Sequence, residues 1–108
     1  MIKFNENNIF LVTGASSGLG KATLLELNKL GAKVIAVGRN IESLNNVKDS
    51  SSFPENIYLE EFDFNNTEKI ATFLKDIIKK YGKLNGISHF AGIGKLYPLR
   101  ATSLEIIK

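Results

Sequence analysis

The 108 residues are 44% hydrophobic and 23% charged, a globular composition that excludes a disordered chain, a collagen-like repeat and a coiled coil. The net charge of +3 is small and spread along the chain, so no nucleic-acid partner is expected. The absence of Cys excludes disulfides and zinc-thiolate sites, and the early apolar run Ile9–Val12 is too short for a leader or a membrane span, so we expect a cytoplasmic protein without a membrane partner.

Four short apolar runs alternate with longer segments of helical character. The runs are Ile9–Val12, Val34–Val37, Ile57–Phe62 and Gly86–Ala91. The first two are apolar at every position, as expected for strands that are buried on both faces of a parallel sheet. The alternation therefore predicts consecutive βαβ units and an α/β fold.

The first two connections between these runs have unequal helical character. Leu19–Leu30 lacks Pro, is rich in Leu and is followed by Gly31, which suits the left-handed conformation at a helix end. The second connection, about Ile41–Val47, is shorter and more polar. We predict a helix in each, with a loop containing Pro54 after the second.

The third connection has the clearest helical period. Apolar residues stand at i, i+4, i+7, i+8 and i+11 from Ile70 to Tyr81, which predicts a helix with one buried face. Asn66 is the predicted N-cap, and Gly82 marks the predicted end of the helix.

A T-x-x-E capping box occupies residues 102–105 near the end of the sequence. Only three residues follow Glu105, and isolated helices of a few residues are unstable in water. Two interpretations stay open: a helix interrupted just after it begins, or an ordinary frayed terminal turn.

A glycine-rich segment, Thr13–Gly20, lies between the first predicted strand and the first predicted helix. It contains three Gly and two Ser in eight residues, more than a closely packed turn requires. Glycines permit a sharp bend and a close approach to an anion, and the following helix presents free N–H groups. We predict that a dinucleotide binds here, at Gly14, Ser16, Ser17, Gly18, Leu19 and Gly20. The alternatives are a turn made only for close packing, and Ser side chains that satisfy their own turn.

The order Thr13-Gly14-x-x-x-Gly18-x-Gly20 resembles the T-G-x-x-x-G-x-G motif of the short-chain dehydrogenase/reductase family. The resemblance extends over the whole chain and implies one Rossmann-type domain that transfers a hydride between a nicotinamide cofactor and a carbonyl or alcohol. Residues 1–108 would be the N-terminal part of that domain, because family members are more than twice as long. By the same resemblance, Thr13 braces the fourth strand.

The predicted fold is a Rossmann-type, doubly wound parallel sheet, truncated after strand four. Right-handed crossovers give the strand order 3-2-1-4, with the first two helices on one face and the third on the other. Without the elements expected beyond strand four, the edge of that strand and part of one sheet face would be exposed.

Further positions of the cofactor site follow from the resemblance. Asp63 matches the Asp that meets the adenine ring after strand three, with Phe64 beside it. His89-Phe90-Ala91-Gly92 replaces the family's N-N-A-G, so Ala91 and Gly92 are kept and would line the cofactor. We interpret His89 as structural rather than a proton carrier, because it ends a buried strand. The pairs Glu60-Glu61 and Lys79-Lys80 are interpreted as solvated faces or as helix-end charges.

The cofactor type is predicted from the end of strand two. In dinucleotide folds an acidic residue there binds the ribose 2′-OH, whereas an Arg accommodates a 2′-phosphate. This sequence has Gly38-Arg39-Asn40, with no carboxylate before Glu42. We therefore predict NADP(H) rather than NAD(H), bound by Arg39 and Asn40, the alternative being a solvated Arg.

The family's catalytic Ser and Tyr-x-x-x-Lys are not expected within residues 1–108. The residues four positions after the three Tyr are Phe62, Asn85 and Ala101, none of which is Lys. We predict the cofactor-binding half of an NADP(H)-dependent oxidoreductase, inactive alone and without a metal site. The complete protein would act on a small carbonyl or alcohol and form a homo-oligomer. The alternatives are a non-catalytic dinucleotide-binding module and an inactive truncated product.

Overall fold

Four parallel strands form one sheet in the computed structural model, which describes residues 3–5 and 7–90. The strands are β1 (Ile9–Thr13), β2 (Lys33–Gly38), β3 (Ile57–Glu61) and β4 (Gly86–His89). Their spatial order is β3-β2-β1-β4, and every neighbouring pair is parallel. This order confirms the predicted Rossmann-type sheet.

Three helices connect the strands: α1 (Gly18–Lys29), α2 (Ile41–Asp49) and α3 (Ile70–Tyr81). Short 3-10 turns at Pro54–Asn56 and Thr67–Lys69 precede β3 and α3. None of the helices within residues 3–5 and 7–90 is long and apolar enough to cross a membrane.

The sheet separates two apolar cores. On one face, Leu24 of α1 and Leu44 of α2 pack with Val12 and Ala36. On the other face, α3 contributes Ile77, which packs with Leu11, Ile35 and Val37. The predicted distribution of helices, two on one face and one on the other, is confirmed.

The ends of the helices agree only partly with the sequence prediction. Gly31 has a φ of 102° directly after α1, as predicted, and its N–H donates to the carbonyl of Asn28. The prediction of Asn66 as the N-cap of α3 was wrong. Asn66 makes no side-chain capping bond and is followed by the 3-10 turn, so Lys69 occupies the position before α3.

A buried Asn holds the loop between α2 and β3 against α1. Asn28 is 0% exposed; its Oδ1 accepts the Phe53 N–H at 2.9 Å and its Nδ2 donates to the Phe53 carbonyl at 2.8 Å. The side chain thus pairs with both polar groups of one residue, much as a neighbouring strand would. No sequence pattern predicted this contact.

Glu60 is not a simple solvated charge, contrary to the interpretation from sequence. Its Oε2 lies 2.9 Å from Lys80 Nζ and accepts the Tyr81 hydroxyl, which joins β3 to α3. Burial raises the pKa of Glu60, but the hydrogen bonds from Lys80 and Tyr81 outweigh it and the net pKa is lowered. Burial and the same hydrogen bond raise the pKa of Tyr81 to about 12.

An apolar groove of about 300 Å³ lies between α3 and β4. Leu74 and Ile78 of α3 and Ile87 of β4 line it, and Ile78 is 49% exposed. Among the described residues this face of β4 is thus incompletely covered, as predicted. The predicted capping box at residues 102–105 lies outside the described residues.

Candidate cofactor-binding site

The carboxyl ends of the four strands bring the predicted site segments to one edge of the sheet. Thr13, the last residue of β1, pairs with Val37 of β2 and with His89 of β4, and Gly38 pairs with Glu61 of β3. The chain proceeds from β1 toward β2 but returns to β4 on the other side of β1. In open α/β sheets, ligands bind outside the strands at such a reversal of order.

The glycine turn, Thr13–Gly20, begins at this reversal. Glycine is required at its three glycine positions for different physical reasons. Gly14 and Gly18 have φ values of 62° and 59°, in the left-handed region that disfavours a Cβ. Gly20 has an ordinary φ, but a Cβ added there would lie 2.0 Å from the Gly14 carbonyl oxygen. Close packing of α1 on the turn therefore explains Gly20, whereas backbone conformation explains the other two.

The N-terminus of α1 is open to solvent at this edge. Ser17 occupies the N-cap position with an extended backbone, but its side chain makes no capping hydrogen bond. Ser17, Gly18 and Leu19 are all exposed, and Leu19 retains 63% of its accessible surface. The first N–H groups of the helix and the Ser17 hydroxyl are consequently accessible to an anion.

The loop after β2 places two predicted site residues on the surface. Arg39 and Asn40 are both exposed. Asn40 Oδ1 accepts the N–H groups of Glu42 and Ser43 at 2.9 and 3.2 Å, so this side chain caps α2. The sequence analysis missed that role, although an Asn directly before a predicted helix start is a known signal.

The segment after β3 places Asp63 on the surface between two phenylalanines that are half-buried. Asp63 Oδ1 accepts the Asn65 N–H at 2.9 Å. Phe62 stacks on Phe73 of α3 with ring centroids 4.2 Å apart, and Phe64 meets both rings edge to face. Phe64 therefore has a fixed apolar support beside the reversal point.

The end of β4 is attached to the end of β1 through one hydroxyl. Thr13 Oγ1 lies 2.8 Å from His89 Nδ1 and accepts the Phe90 N–H at 2.9 Å. Thr13 therefore braces the fourth strand, as predicted, and His89 has a structural partner. Burial lowers the pKa of His89, which favours the neutral imidazole.

Ala91 and Gly92, also predicted to line the cofactor, lie outside the described residues. Within residues 3–5 and 7–90 there is no group of three or more His, Cys, Asp or Glu that could hold a metal ion.

The family model for short chain dehydrogenase matches residues 8–108. The chain belongs to the short-chain dehydrogenase family. Members of this family are oxidoreductases that bind a nicotinamide dinucleotide. The glycine turn at the reversal of strand order is where a Rossmann-type sheet receives such a ligand.

Three similar proteins illustrate the relationship. An uncharacterised oxidoreductase of Listeria monocytogenes is 35% identical over 98 residues, which are 89% of this chain and 39% of that protein. The 3-oxoacyl-[acyl-carrier-protein] reductase of Thermotoga maritima is 33% identical over 89 residues, 82% and 36% of the two chains. A short-chain dehydrogenase of Shigella flexneri, crystallised with NADP, shares the fold with a TM-score of 0.72 at 23% identity, covering 99% of this chain and 53% of that one. This chain thus spans less than half the length of the two sequence relatives.

Proposed function

We propose that this chain supplies the dinucleotide site of an NADP(H)-dependent oxidoreductase that reduces carbonyls or oxidises alcohols. The observation that carries the proposal is the glycine turn at the reversal of strand order, with Gly14 and Gly18 left-handed and no side chain capping α1. The turn leaves no space for a Cβ at Gly20, so α1 is closely packed against the backbone of the turn.

In this proposal each segment of the sheet edge contacts one part of the cofactor. The pyrophosphate lies over the turn, bound by backbone N–H groups and the hydroxyls of the two Ser. Asp63 and Phe64 contact the adenosine. The residues proposed to contact the dinucleotide are Gly14, Ser16, Ser17, Gly18, Leu19, Gly20, Arg39, Asn40, Asp63, Phe64, Ala91 and Gly92. When bound, the nicotinamide donates or accepts the hydride.

Arg39 supports the assignment of NADP(H) over NAD(H). It is exposed at the end of β2, two residues after the strand position that pairs with Thr13, and the first carboxylate after the strand is that of Glu42. A guanidinium pairs with a phosphate through two parallel hydrogen bonds, whereas a carboxylate at this position would repel it. The Shigella neighbour was crystallised with NADP, which agrees with this assignment.

Arg39→Ala is expected to weaken NADPH binding by roughly ten- to a hundredfold, because a hydrogen bond to a charged group contributes about 1.5–3 kcal/mol. NADH affinity should change little, since NADH lacks the 2′-phosphate. Titration calorimetry on the 108-residue chain measures the affinity for each of the two cofactors. Lys29→Ala is the matched control, because Lys29 is an exposed cation at the far end of α1. Equal losses for the two cofactors would contradict the role of Arg39 and remove the main support for NADP(H).

Gly38→Asp is a second variant for the same question, and it should shift the preference toward NADH. The new carboxylate would accept from the 2′-OH and repel a 2′-phosphate. A Cβ at Gly38 would lie 3.1 Å from Leu44 Cδ2, so the thermal stability of this variant must be measured in parallel.

The 108-residue chain alone is expected to show no turnover with NADPH and ketones. Hydride transfer to a carbonyl requires a positioned proton donor, and no Tyr in the sequence is followed by Lys four residues later. The loss of NADPH absorbance over time, with 3-oxoacyl thioesters and simple ketones as substrates, measures this turnover. Turnover above the rate without protein would show that the proposed division between binding and catalysis is wrong.

For the complete protein we propose a small carbonyl or alcohol substrate and a homo-oligomeric assembly. The cytoplasmic location and the absence of nucleic-acid or membrane partners stay predictions from the sequence. An open reading frame after Lys108 that encodes Tyr-x-x-x-Lys would favour the enzyme over a non-catalytic dinucleotide-binding module.

A further inference from the structure

His89 occupies a position where two parts of the proposed cofactor site meet. It ends β4 directly opposite Thr13, the residue from which the glycine turn departs. Its Nδ1 lies 2.8 Å from Thr13 Oγ1, which fixes the imidazole plane relative to that turn. The same hydroxyl accepts the Phe90 N–H at 2.9 Å, so the backbone at the end of β4 is fixed as well.

The other contact of the His89 ring is with the segment after β3. The centroids of the His89 and Phe64 rings are 5.1 Å apart, and the ring planes are inclined by 68°. Edge-to-face pairs at this separation are favourable beyond the apolar area that they bury. Phe64 also meets Phe73 of α3 at 5.9 Å, so its ring is supported from two elements.

Charged side chains in the segments that contact His89 do not compete with the Thr13 hydroxyl for the imidazole nitrogen. In the segment after β3 the charged side chain is Asp63, which is exposed and accepts the Asn65 N–H. Thr13 contributes a hydroxyl, and Phe64 contributes only its ring. The His89 side chain thus has a hydrogen bond to Thr13 and a tilted aromatic contact with Phe64.

We propose that His89 is a positioning residue for the adenosine half of the cofactor: its ring holds the Phe64 ring in the wall that the adenosine contacts, while Thr13 fixes the end of β4 that carries it. This inference rests on the proposed function, because it assigns Phe64 to the adenosine. His89 itself transfers no proton in this role. It connects the glycine turn to the adenosine wall, so the distance between the pyrophosphate-binding turn and the adenosine wall stays constant.

Two substitutions separate the hydrogen bond from the ring contact. His89→Asn keeps a polar atom at the place of Nδ1, within reach of Thr13 Oγ1, but removes the ring from Phe64. His89→Phe keeps an aromatic ring against Phe64 but removes the hydrogen bond. Phe64→Leu removes the aromatic partner while keeping most of the apolar volume. All three are compared with the unsubstituted 108-residue chain, after circular dichroism has shown that each is folded.

The probes are adenosine 2′,5′-bisphosphate for the adenosine half and nicotinamide mononucleotide for the other half. We expect His89→Asn to weaken binding of the bisphosphate about two- to tenfold, the range of one aromatic pair. His89→Phe should retain the affinity within about twofold while lowering the melting temperature, because only the hydrogen bond is lost. Binding of nicotinamide mononucleotide should be the same in all variants.

The double variant His89→Asn, Phe64→Leu gives the deciding measurement. If His89 acts through Phe64, His89→Asn adds little further loss once Phe64→Leu has removed the aromatic ring, since the His89 effect has nothing left to act on. Losses that multiply, or an equal loss in His89→Phe and His89→Asn, would overturn the inference while leaving the cofactor site in place. If the unsubstituted chain binds neither NADPH nor NADH, the proposed function itself fails, and the inference fails with it.

Discussion

Gly20→Ala is expected to prevent NADPH binding and to destabilise the chain by about 3 kcal/mol, at the upper end of the usual cost of overpacking. The added Cβ would lie 2.0 Å from the Gly14 carbonyl oxygen and 3.1 Å from that of Thr13. Both contacts are backbone atoms, which do not move aside as a flexible side chain does. The start of α1 must therefore shift away from the turn. A shift of about 1 Å removes the alignment of the N–H groups with the phosphates, as it does for other positioned groups in binding sites.

Urea unfolding followed by circular dichroism measures the stability change, and titration with NADPH measures the affinity. Gly18→Ala is the matched control within the same turn, because a Cβ there meets no atom within 4 Å. Its cost arises only from the left-handed backbone, about 1–2 kcal/mol. A smaller loss in Gly20→Ala than in Gly18→Ala would show that the turn is stabilised by its conformation and not by the close approach of α1.

Asn28→Ala is expected to lower the free energy of unfolding by about 2–4 kcal/mol, because two partly buried hydrogen bonds lose their side-chain partner at once. Both polar backbone groups of Phe53 would be left without that partner. For a domain of this size such a change lowers the melting temperature by roughly 10–20 °C. The loop before β3 should become the first segment to exchange its amide hydrogens.

Thermal unfolding and hydrogen exchange of the Phe53 amide test this expectation. Asn45→Ala is the control, since Asn45 is exposed on α2, and it should change the stability by less than about 0.5 kcal/mol. Asn28→Asp retains the acceptor for the Phe53 N–H but replaces the donor with a carboxylate oxygen facing a carbonyl. It should be at least as destabilising as Asn28→Ala at neutral pH. Equal stability of Asn28→Ala and Asn45→Ala would show that the loop is held by other contacts.

Local sequence patterns were sufficient to predict most of the fold. All-apolar runs identified β1 and β2 because a parallel strand is buried on both faces. The apolar period from Ile70 to Tyr81 identified α3 and its end, although the predicted start after Asn66 lies three residues before the observed one. The strand order followed from the handedness of the crossovers, a chiral property of every L-polypeptide. These features depend on neighbours within a few residues, or on chain direction alone.

The spacing of the glycines predicted the position of the turn, but not the reason for each glycine. Gly14 and Gly18 are explained by local backbone conformation, which the sequence indicates. Gly20 is explained by the approach of another part of the turn, which becomes visible only when the helix is packed. The prediction of Asn66 as the N-cap of α3 failed because the chain forms a 3-10 turn at Thr67–Lys69 before the helix begins.

The sequence by itself determined the family, the strand order and the place of the glycine turn, because these depend on short-range patterns and a chiral rule. The tertiary structure alone decided which distant polar groups meet. The bond of Asn28 to Phe53 joins residues 25 apart, and the Glu60 to Lys80 pair joins residues 20 apart. Such pairs leave no periodic signal, since each requires one direction and one distance that only the folded sheet supplies.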